Sequence, residues 1–150
     1  MPASPSRLFH LFTAVVPTEA LAAHACLRLK SSGFLDLVVE TLYRRGNLLT
    51  ISAAHYYQQN GDLVAEVDLE AAVDVEHRTL MPLAIQTPWY YMRVADRDDQ
   101  GRERVHSRRL RDLQAFAAQW FSALAQQGFV YRAESAASSA GDNPKPGNEP

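Results

Sequence analysis

Residues 48–75 read LLTISAAHYYQQNGDLVAEVDLEAAVDV, and the alternation on either side of Asn60-Gly61 decides the fold. Downstream of that pair, Leu63, Ala65, Val67, Leu69, Ala71, Val73 and Val75 alternate with Asp62, Glu66, Asp68, Glu70 and Asp74. That is the period of two expected of a strand with one apolar and one solvated face. Upstream, Leu49, Ile51, Ala53, His55 and Tyr57 share one parity. A two-residue turn would pair Gln59 with Asp62 and set the upstream apolar residues against the acids. A three-residue loop of Gln59, Asn60 and Gly61, closed by Gly61 as a bulge, shifts the register by one and joins the two apolar faces, so the bulged turn is expected.

Working outward, a strand over 34–43 precedes the turn Arg45-Gly46-Asn47, a second covers 48–58, a third 62–75 and a fourth 80–86. The pattern resumes at Trp89 to Ala95 after Pro88. Towards the N-terminus, Ser4-Pro5 reads as a cap and first helical position, followed by Leu8, Leu11, Phe12, Val15 and Val16 at helical spacing up to Pro17. Thr18 then caps a second helix with the stripe Leu21, Ala22, Ala25, Cys26 and Leu29, ended by Ser31-Ser32-Gly33. Towards the C-terminus, 96–107 reads as a polar loop. Ser107 opens a helix with the stripe Leu110, Leu113, Phe116, Ala117, Trp120, Phe121 and Leu124, stopped by Gly128. After Arg132 the apolar period vanishes. The expectation is an α+β class fold, an antiparallel four- or five-stranded meander sheet flanked by N-terminal helices and one long C-terminal helix. It forms a single domain over 1–132, with a disordered C-terminal tail over 133–150.

Composition narrows the function. With 150 residues, 47% hydrophobic and 21% charged, the chain has the profile of one ordinary globular domain. A net charge of −2 supplies no global field towards nucleic acid or anionic lipid. Cys26 is the only cysteine, which excludes an intrachain disulfide and fits a reducing, cytoplasmic setting. The apolar run after Arg7 and the Ala23-His24-Ala25-Cys26 segment faintly resemble an export signal, but His10 and Glu19 interrupt it. No run approaches the roughly 20 apolar residues of a membrane-spanning helix.

The segment His55-Tyr56-Tyr57-Gln58-Gln59-Asn60-Gly61-Asp62-Leu63, with Asp68-Leu69-Glu70 after it, resembles the His-Tyr-x-x-Gln-Asn-Gly-Asp-Leu signature of an uncharacterised bacterial and phage domain-of-unknown-function family. Leu80 to Gln86 and Trp120 to Phe129 are similar to its later blocks, so the resemblance spans 34–131. Glu66-Val67 stands where that family usually carries Asp-Pro, and Thr87 follows Gln86 where it tends to carry Gln or Asp. The resemblance implies a fold and a bacterial setting and supplies no activity.

Three constellations remain. His55, Asp62, Glu66 and Asp68, with Asn60 at the turn, form the candidate functional cluster, because carboxylates and one imidazole suit zinc, manganese or magnesium. Their spacing matches no metal motif, and the bulged register sends His55 to the apolar face and Glu66 and Asp68 to the other. Among the aromatics, Trp89 and Tyr91 are the candidate interface. Arg108 and Arg109 lead the candidate phosphate contacts within the arginine-rich stretch 93–111, where Asp96, Asp98, Asp99, Glu103 and Asp112 cancel much of the charge. Neither a phosphate-binding glycine loop nor a dinucleotide fingerprint is present. The leading expectation is a non-enzymatic protein-interaction module with no catalytic residue, metal or cofactor. Its partner is another protein or a second copy in a homodimer, with nucleic acid disfavoured and no membrane. The alternatives are a metal-assisted hydrolase using His55, Asp62, Glu66 and Asp68, and nucleic-acid binding through the arginines.

Overall fold

Asn-Gly is the preferred pair for a tight hairpin because both residues tolerate left-handed backbone, and the central hairpin is built on it. The computed structural model describes residues 3–137. In it β3 (Leu48–Gln59) and β4 (Asp62–Asp74) pair Gln59 with Asp62, leaving Asn60 (φ 53°) and Gly61 (φ 87°) as a two-residue turn. The expected three-residue bulged turn is therefore not formed. The register nevertheless slips by one residue, inside β4, where Glu66 is the extra residue between the pairs His55–Val67 and Tyr56–Ala65. Above the slip, Leu49, Ile51, Ala53 and His55 oppose Val73, Ala71, Leu69 and Val67, which joins the apolar faces as expected, two residues further along β4 than a three-residue turn would set them. Below it, Leu63 and Ala65 change parity relative to Val67, and Leu63 is 59% exposed. The Asn-Gly turn keeps its favoured geometry, and burial of the apolar faces is met by a bulge further along the strand.

The remaining elements are α1 (Pro5–Thr13), α2 (Thr18–Ala23), β1 (Cys26–Leu29), β2 (Leu37–Arg45), β5 (Thr79–Gln86), β6 (Tyr91–Arg93), β7 (Ala95–Arg97), β8 (Glu103–Val105), α3 (Ser107–Gln126), a 3₁₀ turn (Ala133–Ser135) and β9 (Ala136–Ala137). Strands run in the antiparallel order β6-β5-β4-β3-β2-β1-β9. The α+β meander between N-terminal helices and a long C-terminal helix is as expected, and among the described residues the main sheet has seven strands, where four or five were expected. One addition is β1, from residues expected to continue the second helix. Thr18 lies inside α2, which follows Pro17 and ends at Ala23, and His24 is extended. Leu27 and Leu29 satisfy a period of two, and β1 buries both against Val39 and Leu37 of β2. They are buried under either reading, so burial alone did not separate helix from strand. The first long strand starts at Leu37 rather than at residue 34, leaving Phe34 and Leu35 exposed in the preceding loop.

The C-terminal boundary also moves. Ala136 and Ala137 pair with Leu27 and Cys26, and Ser135 is buried, so residues 133–137 dock on β1 instead of joining a solvated tail. The rest of the expected tail, 138–150, lies outside the described residues. The expected polar loop over 96–107 contains the hairpin β7–β8, a sheet of its own, where the Asp98 carboxylate accepts from the backbone N–H of Gln100 and Arg102 at 2.9 Å each.

Both long helices pack on one side of the sheet. Phe12 of α1 and Phe121 of α3 meet with ring centroids 5.2 Å apart, over Leu49, Ile51, Leu69, Val73 and Leu80. The helix α3 starts after His106, one residue before the expected cap, and ends on Gly128 at φ 94°. There the N–H groups of Gly128 and Phe129 donate to Ala125 and Leu124 carbonyls, which satisfies the terminal acceptors and folds Phe129 into the core. The opposite side of the sheet carries a polar row of buried Ser52 between half-buried Glu40 and Glu70, with Asp68 and Tyr56 beside it. Among the described residues, no helix is long and apolar enough to cross a membrane.

Candidate functional site

The central hairpin divides the candidate cluster between two sides of the sheet. His55 is buried on the helix side, with its ring 5.7 Å from Trp120 and 5.6 Å from Phe129. Its Nδ1 lies 3.0 Å from the Asp36 carbonyl oxygen, so Nδ1 carries the proton and donates. The Asp36 carboxylate accepts from Arg28 at 2.7 Å and Lys30 at 2.8 Å. Burial pushes the Asp36 carboxyl up, but the hydrogen bonds and charges of Lys30 and Arg28 outweigh it and hold the group below the ordinary range. His55 thus ties β3 to the loop before β2 and closes the end of α3.

Asp68 stands on the other side. The Ser52 hydroxyl donates to its Oδ1 at 2.5 Å and the Tyr56 hydroxyl to its Oδ2 at 3.3 Å. Burial, then the charge and hydrogen bond of Asp68, push the Tyr56 hydroxyl up to about 12. It stays a neutral donor at physiological pH. Chemically this group is a cross-strand clamp, with one carboxylate accepting from two hydroxyls next to the Glu66 bulge. Asn60 and Asp62 are exposed at the turn, and Glu66 is exposed at the bulge. Side-chain direction therefore keeps the imidazole apart from Asp68, as the joined apolar faces required. Among the described residues, no group of three or more His, Cys, Asp or Glu side chains is placed to hold a metal ion.

The aromatic candidates lie at the same end of the sheet as the Asn60-Gly61 turn. Gln86 pairs with Tyr91, so Thr87, Pro88, Trp89 and Tyr90 form the loop between β5 and β6. The Thr87 hydroxyl oxygen accepts from the N–H groups of Trp89 and Tyr90 at 3.2 Å each, while the Thr87 N–H donates to the Tyr90 carbonyl at 2.9 Å. Those bonds fix a tip on which Trp89 is 88% exposed, with Tyr90 and Tyr91 about half exposed. The loop before β2, with exposed Phe34, reaches this end as well.

Of the arginines, Arg108 is exposed in the first turn of α3, and Arg109 turns back towards the sheet. Its Nη1 donates to the Arg93 carbonyl at 3.3 Å and lies 3.7 Å from Asp96. Asp96 has a closer partner in His106 Nε2 at 2.7 Å; that bond, with the Arg109 and Arg93 charges, holds its carboxyl below the ordinary range against partial desolvation. Arg93 donates through Nη1 to the Tyr91 hydroxyl at 2.8 Å, and this bond pushes the guanidinium up. Tyr90, Tyr91, Met92, Arg93, Asp96 and Arg109 line a cleft of about 440 Å³.

Sequence reasoning missed two features. The Ser52–Asp68 bond is a diagonal contact that the strand register yields once Ala54 is set opposite Asp68. The Arg93–Arg109 pairing joins two elements whose approach no local pattern encodes. No curated protein and no solved structure is matched by this chain. One family does match, described as a domain of unknown function, DUF6908, over residues 8–130. The match runs from α1 through the core, both hairpins and α3, and the chain belongs to that family.

Proposed function

We propose that this chain is a non-enzymatic protein-interaction module whose partner seats on the end of the sheet presenting Trp89. One observation carries the reading: a tryptophan 88% exposed on a turn pinned by Thr87, with two half-exposed tyrosines beside it. Burying a large apolar side chain contributes about 1.5–3 kcal/mol, and Trp, Tyr and Arg are the residues most often found at the energetic centres of interfaces. Weighing against a metal-assisted hydrolase is the division of His55 and Asp68 between opposite sides of the sheet. Weighing against nucleic acid are the pairing of Arg102 with Asp98 and the acids Asp96, Asp99, Glu103 and Asp112 interleaved with the arginines. The bacterial cytoplasm belongs to the same reading, supported by the His55–Leu63 signature and a single cysteine.

The test is affinity capture from cells that express the protein, with wild type and Trp89→Ala compared at matched melting temperature. Sedimentation of the purified chain separates a second copy from a different protein. Loss of the captured partner, or of self-association, in the variant is the expected result. Equal recovery from both proteins would remove this surface from the function.

A further inference from the structure

The cleft between β6 and the first turn of α3 holds more positive charge than its own acids neutralise. Two guanidiniums line it, against one carboxylate, Asp96, which His106 already engages at closer range than Arg109. Arg93 is steered by the Tyr91 hydroxyl, and among the described residues no carboxylate forms an ion pair with it. In the same strand row, Glu70 lies two strands away across Ala84. Both arginines are therefore positioned by groups that leave much of their planar donor edges open. A guanidinium in that state matches a carboxylate with two parallel N–H donors.

Resting on the interaction reading above, we infer that this cleft receives an aspartate or glutamate side chain of the partner protein, next to the apolar contact made by Trp89. The acids Asp98, Asp99, Glu103 and Asp112 in the same stretch of sequence, and the net charge of −2, disfavour a phosphate chain over one local oxyanion. An acidic peptide is thus favoured over nucleic acid.

The experiment titrates the full ¹⁵N-labelled chain with the blocked peptide Ac-Leu-Asp-Glu-Leu-NH₂, its amide counterpart Ac-Leu-Asn-Gln-Leu-NH₂, and an oligothymidylate of eight nucleotides. Saturable shifts of the Tyr91, Met92, Arg93, Asp96 and Arg109 amides with the acidic peptide are expected. Binding should weaken about tenfold with the amide peptide, the scale of one charge-assisted contact. It should weaken similarly in Arg93→Gln/Arg109→Gln, and Arg93→Lys, which keeps the charge and removes the planar fork, supplies the same comparison where the double variant is unstable. Absence of shifts, equal affinity for the amide peptide, unaltered binding in folded variants, or tighter binding of the oligothymidylate would each overturn the inference. Partner capture that still depends on Trp89 after such a failure leaves the interaction reading standing. Capture indifferent to Trp89 removes that reading, whatever the peptides do.

Discussion

The β3–β4 and β5–β6 hairpins end on the same side of the sheet and use their side chains in opposite ways. In β3–β4 the conspicuous polar residues are engaged inside the fold: His55 on the Asp36 carbonyl, Asp68 on Ser52 and Tyr56. In β5–β6 the Thr87 hydroxyl fixes the turn, and its aromatics face solvent. The residues that look most like chemistry in the sequence are therefore holding strands together, and surface available to another molecule lies on the plainer hairpin.

The largest effect that can break this contrast is at His55. His55→Ala removes ring packing against Trp120 and Phe129 and leaves the Asp36 carbonyl without its donor, so a loss of about 2–4 kcal/mol in unfolding free energy is expected. Chemical denaturation measures it; a loss near zero would mean that the imidazole has no structural role. Next is Gly61→Ala, which forces a side chain onto φ 87° and should cost about 1 kcal/mol by the same measurement. A neutral result would contradict the two-residue turn.

Tyr56 supplies a smaller, pH-dependent effect. Its hydroxyl is raised from 10.0 to about 12 in the folded chain, so the folded state keeps its proton where the unfolded state loses it. This contribution is full below the unfolded value and is lost as pH rises through the folded one. Stability should fall between pH 10 and 12, and Tyr56→Phe should flatten that fall; parallel profiles would show that Asp68 and burial do not act on Tyr56 as described. Smallest of all, Trp89→Ala should leave stability within about 0.5 kcal/mol, since 88% of that residue is already in water.

Much of the sheet was legible because alternation in Leu49 to His55 and Val67 to Val73 fixes the parity of pairing that buries both apolar faces. Where the compensating bulge sits was not: a three-residue turn would set Ile51 opposite Leu69, whereas the bulge at Glu66 sets it opposite Ala71, and both registers join the apolar faces, so parity alone does not choose between them. β1 was hidden because Leu27 and Leu29 bury equally well on a short helix or a four-residue strand. The separation of His55 from Asp68 followed from parity. Their actual partners did not, because the Asp36 carbonyl and the Ser52 hydroxyl come from positions set by tertiary packing. Trp89 reads from the sequence as a surface residue at the start of a strand over 89–95; it sits instead in the β5–β6 loop, with β6 confined to Tyr91–Arg93, and the cleft between Arg93 and Arg109 needed α3 to be placed beside β6.

The most direct measurement installs a photo-crosslinking phenylalanine analogue at position 89 and, as a control, at position 77, which is exposed in the turn between β4 and β5 at the far end of the sheet. Irradiated in cells, the chain should form discrete protein adducts from position 89 and none from 77. Identical adducts from both positions, or none from 89, would contradict the assignment of the aromatic end as the partner-facing surface.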